Sequence, residues 1–158
     1  ELRMRKDFTI VPSTPASYEI CFEQAMRVRP GGLATGVEAS TALYSTGFQL
    51  LVDGVNDGRT YYFEDDSLGN VVLFYFDSFG EKIITNPTFG TVDYTIGEVM
   101  LGYTNPITFL NTVVSNNRIQ IRALPFGQDV IAKKSVFLDL DIDSSRIDAL
   151  VDANLASY

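Results

Sequence analysis

The sequence contains no histidine and no tryptophan, a single cysteine, and no long apolar run. Each absence closes a class of function. Without histidine the side chain whose ordinary pKa lies nearest neutrality is gone, and with it Ser-His and Cys-His nucleophiles and the usual zinc sites. Cys21 has no disulfide partner in the chain and no imidazole to activate it, so it reads as a small core residue, and the fold must be held by packing and hydrogen bonds. No apolar stretch reaches the roughly 18 residues of a membrane helix, and the opening ELRMRKDF is too charged for a signal peptide. Positive charge is also scarce: 12 Lys and Arg stand against 20 Asp and Glu, a net charge of −8, and the basic residues are scattered. Neutralising nucleic-acid phosphates requires the opposite balance. No Gly-rich loop followed by Lys and Ser or Thr is present to cradle a nucleotide. We therefore expect no cofactor, and no nucleic acid, membrane or small-molecule substrate as partner.

What is present is apolar residues, 46% of 158, divided by turn residues into short runs. This is enough to bury a core. The runs Phe48 to Asp53 and Arg59 to Glu64 flank GVNDG, where Asp57 and Gly58 can take the positive φ of a reversing loop. DDSLGN (Asp65 to Asn70) leads into Val71 to Phe76, and DSFGE turns the chain into Lys82 to Asn86, which Pro87 should end. After the stretch GTVDYTIGEVMLGY and a Pro-containing loop come Arg118 to Leu124 and Val136 to Ile142. The expected class is α+β, mostly β: an antiparallel meander with turn-rich connections and minor helix. Tyr18, Cys21, Phe22, Ala25 and Met26 fit a helical stripe, while Tyr18, Ile20 and Phe22 fit a strand, and periodicity leaves both open. A short helix is expected from Ser145, with Asp148 three positions on as its capping partner. Residues 1–44 read as an amino-terminal segment or small lobe, and 45–158 as a β-rich assembly module. The start at Glu1 suggests a carboxy-terminal piece of a longer chain.

Three places invite a chemical reading. Asp139, Asp141 and Asp143 resemble the start of a calcium loop, but the sixth and twelfth positions hold Ser144 and Leu150 in place of Gly and Glu. Their period-two spacing puts them instead on the wet face of a strand. In GTVDYTIGEVMLGY, Val92 and Tyr94 share one face of an incoming strand, Gly97 sits where a tight hairpin needs positive φ, and Asp93 falls on the polar side or in the turn. Gly90, Val92, Asp93, Tyr94 and Gly97 thus mark a structural hairpin. The strand Val71 to Phe76 is apolar on both faces: Val71, Leu73 and Tyr75 on one, Val72, Phe74 and Phe76 on the other. Leaving three such side chains in water forfeits about 1.5–3 kcal/mol each. The cover is either a second layer of the same fold or a partner, so Val72, Phe74 and Phe76 form a candidate interface.

The succession STGFQL, YYFEDDSLGNVVLFYFD, FGTVDYTIGEVML and RIQIRALPFGQDVIAKKSVFLDLD resembles the carboxy-terminal region of the baseplate wedge subunit of T4-like contractile-tailed phages, related to the J-type baseplate proteins. The resemblance spans roughly Ser45 to Ile142, and the final SSRIDALVDANLASY departs from the extended tail of that family. It implies a structural virion protein of the tail baseplate, assembled in the host cytoplasm. Such a protein dimerises, joins neighbouring wedge proteins into a ring around the tail tube and flexes as the baseplate rearranges. It implies no catalytic residue. Two other classes stay in view: a ligand- or carbohydrate-binding β-sandwich using tyrosines such as Tyr61 or Tyr62, and a hydrolase with paired carboxylates.

Overall fold

The computed structural model of the chain describes residues 2–28, 41–127, 137–140 and 150–152. Their strands are β1 (Leu2–Thr9), β2 (Pro15–Ala16), β3 (Tyr18–Cys21), β4 (Leu43–Ser45), β5 (Phe48–Leu50), β6 (Tyr61–Asp65), β7 (Asn70–Phe76), β8 (Lys82–Asp93), β9 (Glu98–Leu101), β10 (Ile107–Thr112), β11 (Arg118–Ala123), β12 (Phe137–Leu140) and β13 (Leu150–Asp152). The described residues contain no helix. The chain is mostly β, and its antiparallel sheet is nearly closed as a barrel.

The order along the sheet is β13-β12-β1-β11-β4-β6-β7-β8-β9-β3, with β5 leaving from β6 to pair β10, which in turn pairs β2. Because β2 runs into β3 across Ser17, the path from β6 through β9 to β3 and the path from β6 through β5 and β10 to β2 meet. Aromatic rings fill the space between them. Phe48 lies edge-on to Phe109 at 5.1 Å and tilts against Phe63 at 5.9 Å, while Tyr18 meets Phe109 at 5.4 Å. Phe48, Phe63 and Phe109 are fully buried. Burying such rings contributes about 1.5–3 kcal/mol each, and the edge-to-face contacts add about 0.5–1.5 kcal/mol per pair.

The turn residues account for the meander β6–β9. Ser67 and Gly69 take φ of 65° and 95° between β6 and β7, Gly80 takes 81° between β7 and β8, and Gly97 takes 70° between β8 and β9. Five expectations need correction. The left-handed pair after β5 is Asp53–Gly54, at φ 51° and 76°, closed by a bridge between Val52 and Val55. Of the predicted pair only Gly58 has positive φ; the Asp57 carboxylate instead accepts the Arg59 N–H at 3.0 Å and the Tyr61 hydroxyl. Pro87 does not end its strand. The register between β7 and β8 slips from Leu73↔Asn86 to Val71↔Gly90, so the nitrogen that lacks a hydrogen falls in the slipped stretch, where the regular ladder is already broken.

The helical stripe at Tyr18 to Met26 is not formed. Tyr18–Cys21 pairs with β9, and burial alternates as in a strand, with Ile20 and Phe22 inside. Cys21 is consequently half-buried opposite Glu98 rather than a core residue. At the carboxy-terminal side Leu150–Asp152 is a strand paired with β12; the rest of the expected helix, and Asp141 and Asp143, lie outside the described residues. Four strands go beyond the expected ones: the short β2 and β4, β10, which follows Pro106, and β1, which carries alternating charge yet sits between β11 and β12.

Candidate functional site

Asp93 opens the hairpin of GTVDYTIGEVMLGY. Its Oδ1 accepts the Thr95 hydroxyl at 2.6 Å and the Thr95 N–H at 3.0 Å, and these bonds hold its carboxyl below the ordinary value. The Asp93 carbonyl accepts the Gly97 N–H at 2.9 Å. Val92 is buried, and Gly90 packs so closely that a Cβ there would lie 2.5 Å from the Met100 carbonyl oxygen. A Cβ on Gly97 would lie 1.9 Å from the Gln24 carbonyl oxygen. The carboxylate caps a turn.

Tyr94, just past the end of β8, packs partly buried against the same core that takes Val92. Its hydroxyl donates to Asp65 Oδ2 at 2.6 Å and lies 3.4 Å from the Gly69 N–H. Burial and the Asp65 carboxyl raise its pKa well above the tyrosine range. Asp65, in β6, is 2% exposed and also accepts the N–H of Leu43 at 3.0 Å and of Ser67 at 3.1 Å. One side chain thereby ties the start of β4, the β6–β7 turn and the β8–β9 turn. Nothing in DDSLGN distinguishes it from its neighbour Asp66, because the partners Leu43 and Tyr94 lie 22 and 29 positions away.

The other face of β7 shows what covers the candidate interface. Phe74 stacks on Tyr62 at 5.8 Å, meets Phe76 edge-on at 5.5 Å, and has the Lys82 ammonium 4.6 Å above its ring. Lys82 also bridges Glu64 at 2.8 Å. Phe74, 5% exposed, is accordingly buried within the chain itself, and Val72, 6% exposed, is buried as well. Phe76 is not: half of it faces solvent, as does Ile84 across the strand pair, and Phe79 in the turn is 90% exposed.

A cleft of about 750 Å³ opens where β8 and the connection from β9 to β10 meet the end of β5. Leu50, Leu73, Phe89 and Ile107 lie in its apolar part; Asn86, Thr88, Asn105 and Tyr103 are among the polar ones. Asp53 is the one charged residue among the described lining residues, so they supply no pair of carboxylates to it. Among the described residues no three His, Cys, Asp or Glu are grouped to hold a metal ion, and Tyr61 and Tyr62 lie outside this lining. No protein-family model, curated protein or solved structure matches the chain.

Proposed function

We propose that the chain is a non-enzymatic assembly module of a contractile-tail baseplate. It contacts a second copy of itself and other wedge proteins, links wedges into a ring around the tail tube, and flexes as the baseplate rearranges. The observation that carries this reading is the apolar surface at the β7–β8 hairpin: Phe79 stands in water, and Phe76 and Ile84 are half exposed beside the half-buried Tyr62 and the buried Phe74. Burying Phe79 against a partner stabilises a complex by about 1.5–3 kcal/mol, and burying the exposed halves of Phe76 and Ile84 by about half as much each, before association costs. The motif order of the sequence directs the choice of partner.

The double variant F79D/I84D tests it, because both side chains are exposed and their loss leaves the core intact. Sedimentation should show wild-type mass rising with concentration, and co-purification should show wild type retained by reconstituted wedge proteins, with both effects weakened about tenfold or more in the variant. A wild-type chain that stays monomeric at high concentration and is ignored by wedge proteins would remove the proposal.

A further inference from the structure

The cleft is a second surface, lined by none of Phe76, Phe79 and Ile84, and its lining has a chemistry of its own. We propose that it binds a neutral, polyhydroxylated ligand: a hexose oligosaccharide. Its volume of about 750 Å³ falls within the usual range for small-molecule sites.

The polar groups are uncharged amides and hydroxyls, with Asp53 as a single carboxylate acceptor. A sugar hydroxyl both donates and accepts, and amide, hydroxyl and carboxylate groups together match that dual demand. An anionic ligand would find Asp53 repelling it and no cation among the described lining residues.

Two of these groups are held in place before any ligand arrives. Asn86 Oδ1 accepts the Thr88 N–H at 3.0 Å and the Thr88 hydroxyl at 3.3 Å, which orients the amide and keeps its Nδ2 hydrogens for donation. Tyr103 follows Gly102, whose φ of 81° and close approach to the Ala16 carbonyl, 2.7 Å from a would-be Cβ, admit no side chain. The Tyr103 hydroxyl is tethered to Glu19 Oε2 at 3.4 Å while half of the side chain stays in solvent. A tethered, half-exposed ring lining the same cleft as a fixed amide can take the C–H face of a pyranose while the amide takes its hydroxyls. Groups fixed in advance lose little entropy on binding.

The test is a titration of the isotope-labelled full chain with maltohexaose, cellohexaose and a sulfated hexasaccharide, read by amide shifts in nuclear magnetic resonance. At least one neutral hexamer should move the resonances of Asn86, Thr88 and residues 103–105 in a saturable way, and the sulfated one should not. Replacing Asn86 or Asn105 by Ala should weaken binding about tenfold. Tyr103→Ala should do the same, whereas Tyr103→Phe, which keeps the ring and loses only the long bond to Glu19, should weaken binding by less than about threefold. Unchanged spectra of the free variants away from the cleft establish that they fold. Absence of shifts with every neutral sugar, equal binding of the sulfated one, or shifts indifferent to all three substitutions would overturn the assignment. None of these outcomes bears on the association measured with F79D/I84D.

Discussion

The two ends of the meander β6–β9 are built from the same turn residues and treated in opposite ways. At one end the β6–β7 and β8–β9 turns lie side by side, joined through Asp65 and Tyr94, and the Gly97 carbonyl accepts the Phe22 N–H at 2.8 Å. At the other end the β7–β8 turn is fastened by itself: Asp77 Oδ1 accepts the N–H of Phe79 at 2.8 Å and of Glu81 at 2.9 Å. The first end lies against the rest of the fold. The second holds its shape locally and leaves Phe79 in water. An Asp-led turn can therefore serve as a fastening or as a display, and the difference is set by what else packs there.

The contrast can be broken most severely at glycine. Gly97→Ala forces a side chain onto the Gln24 carbonyl oxygen in a left-handed backbone, whereas Gly80 has the same positive φ with open space around it. We expect urea unfolding to show a loss of about 3 kcal/mol or more for G97A, or no folded protein, and about 1 kcal/mol for G80A. Equal losses would mean the two ends are not distinct.

Removing the fastening comes next. Asp65→Ala leaves the Leu43 and Ser67 N–H groups and the Tyr94 hydroxyl without their acceptor, at an expected cost of about 3 kcal/mol; Tyr94→Phe should cost about 1 kcal/mol. The double variant should cost less than the sum, since the two share one bond. Tyr94 also sets an alkaline limit. Its pKa is raised in the fold, so its contribution is complete below the ordinary value of 10 and is lost as pH rises through the folded value. Stability measured above pH 10 should fall less steeply in Y94F than in wild type.

On the acid side Asp66 sharpens the same comparison. Burial pushes its carboxyl up, but the Asn70 amide at 2.8 Å and the N–H groups of Asn70 and Leu68 outweigh burial and hold it below its ordinary 3.8. With the folded pKa depressed, the unfolded chain takes up the proton first. The contribution is therefore present above about pH 4 and disappears as pH falls through the folded value. Chemical denaturation between pH 5 and 2 should show a shallower decline for Asp66→Asn. The smallest effect on folding is expected at the free end: Phe79→Asp should change unfolding free energy by less than about 0.5 kcal/mol, because the side chain packs on little of the fold. A large loss there would show that the turn is held by contacts beyond its own.

Most of the meander was legible because its signals are local. Gly69, Gly80 and Gly97 stand where positive φ is needed, and the apolar runs they separate form β6, β7 and β9. Strand β1 escaped notice because Arg3, Arg5 and Asp7 interrupt its apolar pattern. Arg3 is buried all the same, its guanidinium reaching the carbonyls of Ala42 and Thr41 at 3.3 and 3.2 Å. The cleft was illegible for another reason. Asn86, Tyr103, Asn105 and Asp53 are ordinary turn and strand residues in separate segments, and only the meeting of those segments makes them one lining.

By itself the sequence determined the all-antiparallel turn grammar, the class of side chain available for chemistry, and the amounts of charge and apolar surface, since these depend on neighbours a few positions apart or on composition. Tertiary structure alone decided that Asp65 is buried while Phe79 is bare, that β8 continues through Pro87, and that Phe74 finds its cover in Tyr62 and Lys82. Burial is a property of what arrives from far along the chain, and no local pattern records it.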